Sequence, residues 1–424
     1  MKRKIVVSVL ITFIAAANVC LAQTGSFLKL DDLIEEALKN NKDIESAHRQ
    51  LEAARFRIPQ SSALPDPMVG YSIMGPDLET RLGPQEEIYE FEQVIPFPGK
   101  LIEKRNTAKA EAEEKEAQLR LAEKEVVLNT AETYYDLYAV NKTLQVTEEI
   151  YELLKKFESI AQARYASEQS EQREVAKAQT EVSETLQKIF MLRQQKDTLL
   201  ALLNSLLNNS VDLQQGNIPD PELPELAFTL DELILKADNN RPELLEAKAA
   251  LKKEKYANRL AKYENAPDLS VGFQYIRIGE GMTTEPDDGK DAWMIPLKIT
   301  IPLWQNRIGS GIQESNRNLK SIEAQLKQEE NVSQYTIKNA FYRFTSACKI
   351  FELYRNALIP QAELAFRSDQ AGYEAGKTDI LNLLDSEKVY FNAKVAYYQA
   401  LSDALKNSSL LERATGISLR GGYK

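Results

Sequence analysis

The sequence predicts a mainly α-helical fold with a small β part, built from one unit that occurs twice. No glycine or proline occurs between Gly99 and Gly216, so this stretch must be mostly helix. Motifs from the first half of the chain recur in the second half, which indicates an internal duplication. Short segments with alternating apolar and polar residues predict strands. Together these features predict long helical hairpins and four antiparallel strands per chain.

The duplication is carried by an ordered series of matches. Residues 30–34 (LDDLI) match 230–234 (LDELI), and later pairs keep the same order along the chain. Those later pairs include Pro65 with Pro267, Ile95 with Ile301, and Tyr165 with Tyr373. We therefore expect a first repeat over 23–215, a linker over 216–226, a second repeat over 227–417 and a C-terminal tail over 418–424.

Each repeat is predicted to begin with an amphipathic helix and to end in a long helical hairpin. The first helices should cover about 29–60 and 229–265, and the hairpins about 99–208 and 306–412. Apolar residues in the hairpins recur every seven residues, the spacing of helices that pack side by side. The rows include Leu137, Leu144 and Tyr151 in the first copy, and Ile337, Phe344, Phe351 and Leu358 in the second. The helices alone leave two interpretations open: a tunnel, or a solid bundle without a pore.

The strand segments favour a membrane setting. In the first repeat, Tyr89 and Phe91 share an apolar face, whereas Glu90 and Glu92 lie on the other face. In the second repeat, Lys298 lies on the polar face of a similar segment. These segments have about the length of a transmembrane β-strand. A soluble sandwich strand has the same pattern, but we do not expect it between helices this long. Glu90, Glu92 and Lys298 are therefore predicted to face a lumen.

Four strands cannot close a barrel, and open strand edges are not tolerated in lipid. Roughly eight strands is the practical minimum for closure. The sequence therefore predicts an obligate oligomer in which several chains share one barrel. Pro296 lacks the amide that a ladder hydrogen bond needs, so it predicts a bulge or the barrel rim at that point.

The first 22 residues have the form of a signal peptide. A positively charged start is followed by an apolar run of about 13 residues, and a small residue, Ala22, precedes Gln23. Two alternatives stay open: an uncleaved anchor, and lipid attachment at Cys20. Cleavage after Ala22 leaves Cys348 as the single cysteine, which excludes an intramolecular disulfide.

Composition and motifs exclude several functions. Hydrophobic residues make up 43% and charged residues 27%, which fits neither a disordered chain nor a bundle of membrane helices. The formal net charge of −10 disfavours nucleic acid as a partner. His48 is the one histidine and corresponds to Lys248, so we expect it on a solvated face. With one histidine, no phosphate loop and no nucleophile elbow, we predict no enzyme activity, no cofactor and no resident metal site.

The sequence resembles the TolC-type outer membrane efflux protein family over residues 27–417. The resemblance is carried by the duplicated unit, by the Pro-Asp turns at Pro65 and Pro267, and most specifically by residues 373–385 (YEAGKTDILNLLD). That segment is similar to the family's hairpin tip. Residues 93–100 (QVIPFPGK) are similar to the heavy-metal, CusC-like branch.

The resemblance implies a homotrimer in the bacterial outer membrane. Four strands from each of three chains would form a 12-stranded barrel in outer-membrane lipid, and the hairpins would form a periplasmic tunnel. The implied function is a passive exit duct for small molecules or metal cations, driven by an inner-membrane pump and joined to it by a periplasmic adaptor. Two alternatives stay open: a periplasmic coiled-coil adaptor or scaffold, and a duct for type I protein secretion.

The resemblance also implies a gate at the hairpin tips, closed by an acidic ring and by hydrogen bonds between helices. Asp385 stands at one acidic position, Asn382 at the other, and Thr378 where one family member has a gating arginine. The candidates carried over are Asp385, Asn382, Tyr373, Gly376, Thr378, Tyr165 and Ser170. Simpler interpretations stay open: a solvated carboxylate at Asp385, plain packing of the tyrosines, and a left-handed turn at Gly376.

Overall fold

The structure is a computed structural model that describes residues 28–75, 79–209, 218–281, 284 and 286–419. The expected signal peptide over 1–22, including Cys20, lies outside the described residues, as do the first two positions of the expected linker and residues 420–424 of the expected tail. Among the helices in the described ranges, none combines the length and the apolar composition needed to cross a membrane.

The helices confirm the mainly α class. The two hairpins begin and end within a few residues of the predicted bounds. The helices are α1 (Leu30–Asn40), α2 (Lys42–Ser61), α3 (Pro98–Ala166), α4 (Gln172–Leu207), α5 (Leu230–Asn240), α6 (Pro242–Tyr263), α7 (Gln305–Leu353), α8 (Ile359–Glu374) and α9 (Ile380–Thr415).

The opening helix of each repeat is broken in two, so the prediction of one continuous helix was wrong. Asn41 and Arg241 have extended backbones, with ψ of 133° and 119°. In the second repeat Pro242 causes the break, because proline disfavours the helical conformation of the residue before it. In the first repeat the side-chain Nδ2 of Asn41 donates a hydrogen bond to the Leu206 carbonyl (3.0 Å), and this contact with α4 stabilises the break.

A small antiparallel sheet completes the fold, as predicted. Its strands are β1 (Met68–Ile73), β2 (Glu79–Thr80), β3 (Gly83–Ile95), β4 (Leu269–Ile278), β5 (Ala292–Met294) and β6 (Leu297–Ile299). The main order is β1-β3-β4-β5, with β6 also paired to β4. The last predicted strand is interrupted between β5 and β6, at the position of Pro296. This agrees with the expected irregularity, since proline cannot donate to the ladder.

The heptad row of the first copy is buried at Leu137 and partly buried at Leu144 and Tyr151, and the row of the second copy is buried except where α7 meets α8. Ile337, Phe344 and Phe351 are buried, but Leu358 is 37% exposed. Leu358 lies in a π-helical turn over Tyr354–Leu358 that joins the two helices. One extra residue per turn shifts the helix face, so the prediction that Leu358 continues the packed row was wrong.

The chain divides into two compact units. One comprises the described parts of Met1–Asn41, Val126–Glu225 and Phe344–Ser409, and the other comprises those of Lys42–Glu125, Leu226–Arg343 and Leu410–Lys424. The first unit contains the hairpin tips, and the second contains the sheet.

Candidate functional site: the hairpin tips and the strand face

The first hairpin, from α3 to α4, turns at Glu168, which has a positive φ of 59°. The Gln169 amide donates to the Arg164 carbonyl (2.9 Å), and the Glu168 amide donates to the Tyr165 carbonyl (3.0 Å). These are the two bonds of a Schellman turn, which ends a helix on a residue in the left-handed conformation. A side chain disfavours that conformation, so the turn at Glu168 is strained.

The second hairpin, from α8 to α9, turns in the same way at Gly376, which has a φ of 72°. The Gly376 amide donates to the Tyr373 carbonyl (3.0 Å), and the Lys377 amide donates to the Gly372 carbonyl (2.8 Å). Glycine adopts a positive φ without the side-chain penalty. The two tips therefore share one backbone geometry, and the second adopts it without strain.

Tyr373 lies in an apolar core within the first unit and is 1% exposed. Its ring meets the Phe157 ring edge-on, with the centroids 6.5 Å apart. The other members of this core are Leu154, Ala161, Ala178, Phe366, Ile380, Leu383 and Leu384. Burial raises the pKa of the Tyr373 hydroxyl, and the positive charge of Arg164 opposes that rise. Tyr165, its sequence counterpart, is 47% exposed, so the duplication does not make the two tyrosines structurally equivalent.

Arg164 joins the end of α3 to the second tip. Its guanidinium carbon lies 4.2 Å from the centroid of the Tyr373 ring, and its Nη2 donates to the Tyr373 carbonyl at 2.7 Å. A cation–π contact and a charge-assisted hydrogen bond therefore act on the same residue. The sequence interpretation missed Arg164. A signal was present, because Arg164 lies between two positions that match the second repeat, where its own counterpart is Gly372.

Two carboxylates lie near Arg164. Asp379 precedes α9, and its Oδ1 accepts a hydrogen bond from the Leu381 amide at 3.3 Å, as an N-cap residue does. Burial and the negative charge of Asp379 raise the pKa of Glu174, whereas Arg164 lowers it. Arg164 therefore compensates acidic charge at the tip in addition to holding Tyr373.

Asp385 and Asn382 lie on α9, three residues apart, and both side chains are exposed. Residues at this spacing are neighbours on a helix surface. The structure therefore brings these two together but leaves them out of the core around Tyr373. Thr378 and Ser170 each lie just after the turn of their own tip. The Thr378 amide reaches the Gly372 carbonyl at 3.3 Å, and the Ser170 hydroxyl is buried with no hydrogen-bond partner in the described chain.

Glu387 is a second residue that the sequence interpretation missed. It is 5% exposed, and its Oε1 has no hydrogen-bond partner among the described residues. Burial, followed by the nearby Glu181, raises the pKa of Glu387 to about 7. The signal in the sequence was helical spacing, because Glu387 follows Leu383 by four residues and precedes Phe391 by four. A carboxylate on an apolar stripe of a helix is unusual.

One face of the sheet carries a row of aromatic side chains. Tyr71 pairs with Tyr89, Tyr89 with Tyr275, and Tyr275 with Trp293, so the row crosses four strands. All four rings are exposed, with Trp293 at 67%. The Tyr71 and Tyr89 hydroxyls donate to the Glu87 carboxylate at 3.2 and 2.9 Å. The row therefore presents apolar rings with hydrogen-bonded hydroxyls, as aromatic residues do at a membrane interface.

The opposite face brings together the three predicted lumen residues. Lys298 Nζ lies 2.5 Å from Glu92 Oε2 and 3.9 Å from Glu90 Oε1. The Ser270 hydroxyl donates to the other oxygen of Glu92. Two carboxylates and one ammonium leave this cluster with a net negative charge.

A partly buried ion pair joins the strands and helices at their junction. Lys100 Nζ lies 2.9 Å from Asp268 Oδ2, and the Phe97 amide donates to Asp268 Oδ1 at 2.8 Å. Lys100 lies in the first turn of the long α3, whereas Asp268 precedes β4. The Pro-Asp turn of the second repeat is therefore tied to the strand-to-helix junction of the first repeat.

No group of three or more His, Cys, Asp or Glu side chains within the described ranges is arranged to hold a metal ion. The candidate surfaces of the described chain are two tips with matching turns, an aromatic strand face and an acidic strand face.

Comparisons with known proteins agree with these features. The family model "Outer membrane efflux protein" matches residues 33–209 and 233–417. The cobalt-zinc-cadmium resistance protein CzcC of Cupriavidus metallidurans is 20% identical over 399 residues, covering 92% of this chain and 90% of that protein. The cation efflux system protein CusC of Escherichia coli O157:H7 is 22% identical over 416 residues, covering 92% and 86%. A crystal structure of CusC aligns with a TM-score of 0.79 at 17% identity, covering 94% of this chain and 96% of that one, and shows the same fold.

Proposed function

Because this chain belongs to the outer membrane efflux protein family, we propose that three copies of it form one duct through the bacterial outer membrane. Members of the family are the outer-membrane channels of tripartite efflux systems, and this chain has that role and location, with a periplasmic extension. The resemblance seen in the duplicated unit and the tip segment is thereby confirmed. The interpretation as a periplasmic adaptor is set aside.

The observation that best supports the proposed shared barrel is the exposed aromatic row, Tyr71-Tyr89-Tyr275-Trp293. A sheet that exposes aromatic rings on one face and charged side chains on the other suits a lipid boundary and a water-filled lumen. Within the described residues β1 lies at one edge of this sheet, and β5 and β6 lie at the other, and open edges are not tolerated in lipid. Pairing these edges between copies removes them. Three copies supply twelve strands when β5 and β6 count as one interrupted strand and the two-residue β2 is left out.

The acidic strand face is proposed as part of the lumen. Glu90, Glu92 and Lys298 form one cluster with excess negative charge, which should favour the passage of cations. The names of two relatives refer to cobalt, zinc and cadmium and to cation efflux. We therefore propose metal cations as the cargo, in line with the CusC-like segment at 93–100.

The hairpin tips are proposed as the periplasmic gate. Asp385 and Asn382 would line the constriction, since both are exposed on one face of α9. Arg164 and Tyr373 would fix the second tip, with its turn at Gly376. Thr378, Tyr165 and Ser170 would take part in contacts between tips in the assembled duct.

The chain itself is proposed to act passively, without catalysis. An inner-membrane pump supplies the energy, and a periplasmic adaptor joins the pump to the tips. Each of the two repeats, 23–215 and 227–417, would supply one hairpin and two barrel strands: β1 and β3 from the first repeat, and β4 and the interrupted β5–β6 strand from the second.

Native mass spectrometry of the full-length mature protein, extracted from outer membranes in detergent, tests the assembly. The expected result is a complex of three chains that is recovered only with detergent. A monomer released from the periplasm without detergent would contradict the shared barrel.

A further inference from the structure

A cavity of about 360 Å³ lies between α3, α4 and α9, within the first unit. Its walls combine apolar side chains, one aromatic ring among them, with three threonines and several other polar or charged side chains. The lining residues used below are Thr147, Leu154, Thr185, Met191, Glu387 and Phe391. A volume of this size lies in the range of pockets that hold small organic molecules.

The wall of this cavity contains a carboxyl group without a partner. The Glu387 residue is only 5% exposed, and its Oε1 accepts no hydrogen bond from the described residues. A buried carboxylate is costly unless a positive group or several donors compensate it. Glu387 Oε1 therefore has no direct cationic partner among the described residues, although Lys188 and Lys388 also line the cavity.

The other charged groups that face Glu387 do not supply this partner. From α4, Glu181 is engaged by Lys177, with Nζ 2.7 Å from its Oε1, and Lys188 is exposed. Lys388 on α9 and Lys188 both line the cavity, but both side chains are exposed and neither donates a hydrogen bond to Glu387 Oε1. From α3, the lining residues are Thr143, Thr147, Ile150 and Leu154, none of which is charged. Lys188 and Lys388 lower the pKa of Glu387 less than burial and Glu181 raise it.

The chemistry of the walls selects the kind of ligand. A metal ion such as Ca²⁺ takes six or more oxygen ligands, and this cavity offers no cluster of carboxylates among the described residues. Glu181, Glu387, Lys188 and Lys388 all line the cavity, and the one charged oxygen among them that is buried without a partner is Glu387 Oε1, which repels an anion. An organic ammonium ion needs only one carboxylate, an apolar wall and an aromatic face such as that of Phe391.

We propose that this cavity binds a small organic cation, with one ammonium group and an apolar body, and that Glu387 is its counter-ion. The ammonium group would pair with Glu387, and the apolar body would pack against Met191, Leu154 and Phe391. The site lies apart from the exposed Asp385 and Asn382, so it is a binding site additional to the proposed gate.

Isothermal titration of the detergent-solubilised full-length protein with benzylammonium tests the proposal. We expect saturable binding at pH 8, weakened at least tenfold by Glu387→Gln. Glu184→Gln is the matched control, because Glu184 lies on α4, is exposed and does not line the cavity. Benzyl alcohol, which has the same ring without the charge, should bind at least tenfold more weakly than benzylammonium.

A measurement on the unaltered protein covers the case in which Glu387→Gln fails to fold. Protonation removes the counter-ion, so affinity for benzylammonium should fall by up to tenfold per pH unit below about 7, with proton release on binding. Equal affinity in Glu387→Gln, equal binding of benzyl alcohol, or affinity that does not change between pH 8 and pH 5.5 would overturn the proposal. Absence of binding at millimolar benzylammonium would do the same.

Discussion

The guanidinium group of Arg164 covers the ring of Tyr373 at 4.2 Å and donates to its carbonyl at 2.7 Å, so one hairpin holds the tip of the other. The same carbonyl accepts the hydrogen bond from the Gly376 amide that closes the turn. Arg164 thus acts on the residue from which the second turn is built, and a change there should affect the whole tip.

Replacing Arg164 with Ala should loosen the second tip. The loss of a cation–π contact and a charge-assisted hydrogen bond should cost about 2 kcal/mol. If the tips form the gate, single-channel conductance in planar bilayers should rise. Tyr373→Phe is the matched control, since it keeps the ring beneath the guanidinium and should leave conductance unchanged. An Arg164→Ala channel with the original conductance would argue against the contact as a closing element.

Replacing Asp385 with Ala should raise conductance or leakiness, because it removes the acidic group proposed for the constriction. Asn382→Asp should act in the opposite sense on cation binding, because it adds a second carboxylate on the same helix face. Block of the current by a trivalent cation such as La³⁺ should weaken in the first variant and strengthen in the second. Identical block in both variants and the parent would exclude this face of α9 from the constriction.

The two turns predict that Gly376→Ala and Glu168→Gly have opposite effects on the stability of their tips. Gly376→Ala places a side chain at a φ of 72° and should destabilise the second tip by about 1 kcal/mol. Glu168→Gly should relieve the strain at the first tip. Hydrogen–deuterium exchange of the tip amides should become faster around 372–378 in Gly376→Ala and slower around 164–169 in Glu168→Gly. Unchanged exchange at both tips would show that the surrounding packing, and not the turn, sets their stability.

Two adjacent strand residues test the orientation of the sheet. Phe91→Arg places a charge on the face assigned to lipid and should lower assembly, by about 2 kcal/mol if the residue lies well inside the bilayer. Glu90→Arg changes the opposite face and should leave assembly intact while shifting ion preference towards anions. The yield of detergent-extracted oligomer and the reversal potential in a salt gradient measure the two effects. A Glu90→Arg variant that fails to assemble beside a normal Phe91→Arg variant would reverse the assignment.

Glu387 predicts the pH dependence of stability. Its pKa is about 7 in the folded protein against an ordinary value of 4.5, so the folded state binds this proton more tightly than the unfolded state. Protonation of Glu387 adds up to about 3 kcal/mol to the free energy of unfolding. This contribution is full below about pH 4.5 and is lost as the pH rises to about 7. Glu387→Gln should remove this part of the pH dependence in denaturant unfolding. A parent protein and variant with parallel pH profiles between 4.5 and 7 would contradict the buried, unpaired carboxyl.

The sequence predicted the parts of the fold that local patterns determine. The stretch without glycine and proline predicts α3 and α4, and the period-two alternation places Tyr89 and Glu90 on opposite faces of the sheet. The helix break at Asn41 and the exposure of Leu358 were not predicted, for different reasons. Asn41 is set by a hydrogen bond to Leu206, which is distant in sequence, and Leu358 is displaced by a π-helical turn within an unbroken helical pattern.

The site was predicted less completely, because it depends on contacts between repeats. The tip motif identified Gly376 and Tyr373, but Arg164 acts through the backbone of the other hairpin. Comparing the repeats position by position treated Tyr165 and Tyr373 as equivalents, whereas one is exposed and the other buried. Packing distinguishes the two copies, and no pattern within a single repeat contains that information.

Single-channel recording of the purified protein in planar bilayers tests the central claim most directly. The account predicts stable conductance steps from the assembled protein, with a reversal potential in a salt gradient that shows preference for cations. Folded assemblies that give no conductance, or that prefer anions, would contradict a cation-passing outer-membrane duct.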